Sequence, residues 1–200
     1  MADSQTIACD LFDIGCVKFG QFKLKSGLIS PIYIDLRLLV TYPEVLRKVA
    51  QAMVQKIAQS ALTFDRLAAI PYAGLPIGVS VALESGLPLI YPRKEAKDYG
   101  TAKIIEGVYH PGETVLLVDD LITKGTAKIE SLKPLTDARL LVKDVLVLID
   151  REQGGAAEMN AHGVALHAVT TLTAILDELV ATGRLTAQQR SDISAWIKAN

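Results

Sequence analysis

The sequence predicts an α/β fold, a parallel central sheet flanked by helices with a small N-terminal hood. Three observations predict it. Short apolar runs recur at Leu67–Ile70, Leu89–Tyr91, Val115–Val118, Val145–Ile149 and Val164–Val169. A run with no polar alternation is a strand buried on both faces. Helical stretches separate these runs, as connections between parallel strands require. Residues 1–40 differ, with brief alternating segments of antiparallel character.

In chain order, Ser4–Ile14 reads as a short helix closed by Gly15. Cys16–Phe19 and Phe22–Leu24 read as brief strands around Gly20, Lys25–Pro31 as a loop, and Ile32–Leu36 as a strand. Pro43 suits a first helical turn, and Val45, Val49, Met53 and Ile57 recur every four residues behind it. Pro71–Gly74 turns the chain into a helix from Leu75 to Ser85, ended by Gly86. His110-Pro111-Gly112 is a turn before the strand from Thr114. Pro134 kinks or ends the helix after that strand. Two helices close the chain, one ended by Gly183 and one opened by a capping box of Thr186 and Gln189. Trp196 on the last helix is a packing residue. The organisation is a single domain over residues 1–200, with a hood at 1–40, an α/β core at 41–170 and C-terminal helices at 171–200.

Composition excludes several classes. A chain of 200 residues can bury about 70% of its unfolded surface, so it needs no disulfide or metal staple. Its net charge of −1 leaves no basic footprint for nucleic acid. Cys9 and Cys16 do not form a C-x-x-C pair and read as small packed side chains. The polar, acidic start is no signal peptide, and no apolar run approaches the ~20 residues of a membrane span. The expectation is a cytoplasmic protein without nucleic-acid or membrane partners. His110, His162 and His167 receive no chemistry.

The chemistry concentrates at Val115-Leu116-Leu117-Val118-Asp119-Asp120-Leu121-Ile122-Thr123-Lys124-Gly125-Thr126-Ala127. Two carboxylates end a buried strand, and a short loop leads to a helix. A helix start offers unpaired N–H groups and the positive end of a dipole, so it cradles phosphate. The carboxylates can accept hydrogen bonds from neighbouring sugar hydroxyls or hold a hydrated metal. A ribose 5-phosphate satisfies both halves. The acidic strand end also resembles that of a P-loop NTPase, but G-x-x-x-x-G-K-[ST] is absent, as is G-x-G-x-x-G. A βα turn with a polar cap and no ligand remains the bland alternative. Ligands in parallel sheets bind beyond the C-terminal strand ends. Pro71-Tyr72-Ala73-Gly74 and Asp150-Arg151 follow two other strands there. A lone Arg151 is also compatible with a solvated charge. Arg93–Lys103 holds four cations, two acids and a tyrosine. It reads either as a solvated hairpin or as a lid that closes over a polyanion.

The Val115–Ala127 stretch resembles the phosphoribosyl-diphosphate signature of type I phosphoribosyltransferases. Phe22–Gly27, Ser30–Tyr33, Arg93–Gly100, that signature and Asp150-Arg151 occur in the order seen in orotate phosphoribosyltransferases, across about residues 5–180. The lid wording is similar to the corresponding domain of bifunctional UMP synthases, with no decarboxylase domain expected after Asn200. The resemblance implies the type I phosphoribosyltransferase fold and transfer of a phosphoribosyl group to orotate in pyrimidine biosynthesis, with Mg2+ carried mainly by the diphosphate substrate and water. It implies that Asp119 and Asp120 take the ribose hydroxyls and that Leu121, Ile122, Thr123, Lys124, Gly125, Thr126 and Ala127 form the phosphate loop. Lys25 meets the diphosphate substrate near the base pocket. Orotate sits against Tyr33 and Ile34, touched by Lys25, Thr123 and Arg151, whose guanidinium matches a carboxylate. Tyr72 and Ala73 line the pyrophosphate loop. Arg93, Lys94, Lys97 and Tyr99 are lid positions, Lys97 being catalytic. Family lids reach into the neighbouring subunit, so a homodimer is implied.

Many bacterial members carry Lys where Ala73 stands and His where Tyr99 stands, and Lys124 is a less usual signature residue. The resemblance further implies a transition state like an oxocarbenium ion, with catalysis by positioning, lid closure and charge on the leaving group. Two other functions share these features: transfer to a purine or uracil, and regulation through binding of the ribose diphosphate and nucleic acid.

Overall fold

A computed structural model describes residues 4–23, 27–93 and 104–199. Helix α1 (Ser4–Asp13) precedes strands β1 (Val17–Lys23) and β2 (Ile29–Ile34), which pair antiparallel as a separate two-stranded sheet. The two brief strands expected around Gly20 are a single strand with a register shift between Phe19 and Phe22. A bulge absorbs the glycine without ending the ladder. Strand β2 starts earlier than expected and includes Ser30 and Pro31. A two-stranded sheet has only edges, which tolerate a proline. Leu36 is not in a strand: Asp35 accepts a hydrogen bond from the Arg37 N–H and caps a 3-10 helix over Leu36–Thr41.

Helix α2 (Pro43–Gln59) buries Val49 and Met53, with Val45 and Ile57 partly covered on the same stripe. Then follow β3 (Arg66–Ala69), α3 (Gly74–Ser85), β4 (Leu89–Pro92) and β5 (Ile105–Glu106). Gly86 ends α3 in the left-handed region, at φ 71°. Next come β6 (Thr114–Ile122), α4 (Thr126–Asp137), β7 (Leu141–Asp150), α5 (Gly155–Ala161), β8 (Ala165–Thr171), α6 (Leu172–Ala181) and α7 (Ala187–Ala199). Helix α4 runs through Pro134 rather than ending there. The capping box before α7 is reciprocal: the Thr186 N–H donates to Gln189 Oε1 at 3.0 Å, and the Gln189 N–H to Thr186 Oγ1 at 3.2 Å.

The main sheet has the order β5-β4-β3-β6-β7-β8, parallel except for β5. Alternate residues of its central strands enter different cores. Leu116, Val118, Leu146 and Leu148 join Val49 of α2, Ile77 of α3 and Ile175 of α6 on one face. Val115, Leu117, Val145 and Val147 join Leu135 of α4 and Met159 of α5 on the other. This period-two division is why the strands read as continuous apolar runs. The chain leaves β3 toward β4 on one side, and β6 flanks β3 on the other. That reversal opens a crevice at the C-terminal ends of β3 and β6.

Candidate active site

A cavity of about 520 Å3 occupies this crevice. Its β3 wall is Ile70, Pro71, Tyr72 and Ala73. Its β6 wall is Asp119, Asp120 and Leu121, and its floor is Thr123 to Lys128. Strand β6 does not stop at the carboxylates as expected. It continues to Ile122, because Asp119 and Leu121 keep their partners in β7, Val147 and Ile149. The acids are therefore held by a rigid ladder instead of a loop.

Gly125 lies in the left-handed region, φ 86°, and occupies the N-cap of α4 without any side-chain cap. The Lys128 N–H turns back to the Gly125 carbonyl at 2.9 Å, and no side chain covers the N–H groups ahead of it, which suits an anion seat. Ile122 does not face the cavity. Its side chain is fully buried in the second core, and its carbonyl accepts the Arg151 N–H at 3.0 Å. Strand alternation turns it inward.

The two acids have different partners. Asp119 is 5% exposed. Its Oδ1 accepts the Asp120 N–H at 2.8 Å, and its Oδ2 lies 2.6 Å from Lys128 Nζ. Asp120 accepts the Leu121 N–H at Oδ1, 2.7 Å, and its carboxyl also hydrogen-bonds with that of Asp119. Burial, then the charge of Asp119, pushes the Asp120 carboxyl up to about 7.

Of the expected base-side residues, Thr123 lines this cavity, whereas Tyr33, Ile34 and Arg151 are not part of its wall. Tyr33 stacks on Phe22 with ring centroids 5.4 Å apart and receives a 3.4 Å hydrogen bond from Arg37 Nη2. Arg37 itself lines the cavity, held by Asp35 at 2.7 Å. Ile34 packs against the first core. Arg151 follows β7; burial leaves its Nε without a partner and lowers its pKa. Arg93 pairs with Glu106 at 2.7 Å and borders an adjoining cavity of about 470 Å3, which shares Ile70, Pro71 and Ala127 with the first. Lys25, Lys94, Lys97 and Tyr99 lie outside the described residues.

No protein-family model matches this chain. An orotate phosphoribosyltransferase of Caenorhabditis elegans is 41% identical over 188 residues, 94% of this chain and 83% of that protein. The chain belongs to the orotate phosphoribosyltransferase family. Among solved structures, the UMP synthase of Leishmania donovani superimposes with a TM-score of 0.88 at 42% identity, covering 98% of this chain and 42% of that one. The orotate phosphoribosyltransferase of Aeropyrum pernix matches with a TM-score of 0.74 at 31% identity, over 86% of this chain and 98% of that one. This family member thus spans less than half of the bifunctional Leishmania chain and nearly all of the Aeropyrum one.

Two cavity residues of this family member were not singled out from sequence, Arg37 and Lys128. Arg37 had a local signal in Asp35, two residues earlier, whose carboxylate holds it. Lys128 had a subtler one: a cation in the first helical turn is unfavourable beside the positive end of the dipole unless an acid is near. Among the described residues no three His, Cys, Asp or Glu side chains cluster as metal ligands, and no helix is long and apolar enough to cross a membrane. With Asp119 already paired, the donor set fits a Mg2+ that keeps water and substrate oxygens rather than a protein cage.

Proposed function

We propose that this chain transfers the 5-phosphoribosyl group of phosphoribosyl diphosphate to orotate, giving orotidine 5′-monophosphate and pyrophosphate for UMP synthesis. The observation that carries the reading is a single crevice lined both by Asp120 and by the first turn of α4, which no side chain caps. A ribose with a phosphate at C5 spans that combination. Asp120, with Asp119 behind it, accepts the ribose hydroxyls. Backbone groups of Leu121 and Thr123 to Ala127 hold the 5′-phosphate, with Ile122 supporting them from the core. Tyr72 and Ala73 meet the diphosphate by backbone and hydroxyl groups, because Ala73 brings no cation. Orotate lies toward Tyr33 and Ile34, its carboxylate within reach of Lys25, Thr123 and Arg151.

In the reaction the bond from C1′ to the diphosphate breaks with its electron pair leaving on oxygen. A ring nitrogen of orotate bonds to C1′ and gives up its proton to water. The negative charge of the acids steadies the positive sugar between these events, and Arg93, Lys94, Lys97 and Tyr99 close over the departing diphosphate. Mg2+, entering with the diphosphate substrate, would supply positive charge to the leaving group. The chain works as a cytoplasmic homodimer whose lids cross between subunits.

The test follows orotate absorbance with phosphoribosyl diphosphate and Mg2+. Orotate is consumed, and adenine, hypoxanthine and uracil are not. Turnover of one of those bases instead of orotate, or of none, overturns the assignment.

A further inference from the structure

We propose that Lys128 is a positioning residue of this site: its ammonium holds Asp119 in place, so that Asp120 is the acid presented to the sugar. The inference rests on the phosphoribosyl-transfer reading above and adds a residue to it.

The argument starts from burial. The Lys128 and Asp119 side chains are 7% and 6% exposed, and their charged ends are 2.6 Å apart. An ammonium is seldom taken out of water unless a carboxylate meets it. Lys128 also donates to the Leu121 carbonyl, so it grips β6 at two points on either side of Asp120. It does so from the first turn of α4, where its own N–H donates to the Gly125 carbonyl at 2.9 Å. The side chain therefore ties the phosphate-seat helix directly to the acid strand, bypassing the loop between them. Asp119 is closed off on its other side as well. A methyl group added at Gly74 would lie 2.7 Å from Asp119 Oδ1, so α3 packs flush against that oxygen. Both Asp119 oxygens are thus occupied within the protein, by the Asp120 N–H and by Lys128. Asp120 is half-buried on the cavity wall and takes one backbone N–H, from Leu121.

The ammonium also works against the upward shift of the Asp120 carboxyl, so that shift grows when Lys128 is removed. The other ionisable groups on the cavity wall are Arg37 and Tyr72, with Lys124 in the loop. Arg37 is held by Asp35.

The experiment compares the wild type with Lys128→Met, Lys128→Gln and Lys128→Arg, measuring kcat and KM for phosphoribosyl diphosphate from pH 6 to 9 and ribose 5-phosphate binding by calorimetry. For Met and Gln, KM and the dissociation constant rise roughly tenfold at neutral pH. The acid limb of kcat/KM moves up by about one pH unit, and Arg restores part of both. A folded Met or Gln variant with wild-type KM and pH limb overturns the proposal. So does a change in which Arg fails to recover anything, since that is a loss of packing alone. If Met does not fold, the Gln variant is decisive in the same way. A wild type that binds ribose 5-phosphate but consumes no orotate overturns the transfer reading instead. The binding arm then still decides the role of Lys128.

Discussion

Asp119 and Asp120 are adjacent in sequence, yet one is buried against Lys128 and the other is half-buried on the cavity wall. The consequence is a pH dependence with a definite sign. Burial and Asp119 raise the Asp120 carboxyl to about 7, so its neutral form predominates in the free protein below that pH. Accepting hydrogen bonds from two sugar hydroxyls needs the ionised form. Ribose 5-phosphate binding should therefore tighten roughly tenfold between pH 6 and pH 8, because the ionised fraction rises by that factor around a midpoint near 7. The phosphate titrates near pH 6 too, so the comparison is with Asp120→Asn, which keeps only the phosphate's part of the change. Equal pH dependence in the two proteins would refute the assignment. Stability runs the opposite way. A carboxyl whose folded pKa is raised contributes stability below its unfolded value of 3.8, and that contribution is lost as pH rises through about 7. Asp120→Asn should accordingly raise Tm more at pH 8 than at pH 5, read by thermal denaturation.

At the scale of elements, the phosphate seat is supported from below by a helix that sequence periodicity did not reveal. Helix α5 has seven residues, Gly155–Ala161, too short to repeat an apolar stripe, and it begins at the second glycine of a Gly-Gly pair. Its first residue packs under the seat. A methyl group at Gly155 would lie 2.7 Å from the Thr123 carbonyl oxygen and 2.6 Å from Ile122 Cγ1. Gly155→Ala should therefore push the loop toward the cavity and raise KM for phosphoribosyl diphosphate about tenfold, with kcat within about twofold. Overpacking of this kind costs about 1–3 kcal/mol, read by urea denaturation. An unchanged KM would mean the loop yields without consequence. The buried strands and long helices were legible because their patterns extend over many residues. The ends were not. β6 was expected to stop at its first acid, yet ladder pairing to Val147 and Ile149 carries it on to Ile122. The 3-10 helix after Asp35 depends on a side-chain cap, which an alternating pattern does not encode. The carboxylates and the Gly125 turn were visible in sequence as chemistry. Lys128 was not, since its meaning lies in a contact across the loop.

For the whole molecule, the sheet order explains why residues from distant parts of the chain share a cavity. The β3 and β6 ends neighbour each other although Ala73 and Asp119 are far apart in sequence. In the reading proposed for that crevice, lid residues of a second chain would complete the site, and this is testable without knowledge of the lid's shape. Take one preparation carrying Lys97→Ala and another carrying Asp119→Asn with Asp120→Asn. Each homodimer has a defect at both sites and should be nearly inactive. In a mixed dimer with crossing lids, one site combines intact acids with an intact Lys97, and the other site carries both defects. Mixing after partial unfolding and refolding should then restore activity toward half of a wild-type dimer for each hybrid formed. If each lid instead serves its own chain, every site in the hybrid keeps one defect and no activity returns. A mixture as inactive as its parents, with subunit exchange verified by tagged chains, would rule out the shared site while leaving the chemistry of the crevice intact.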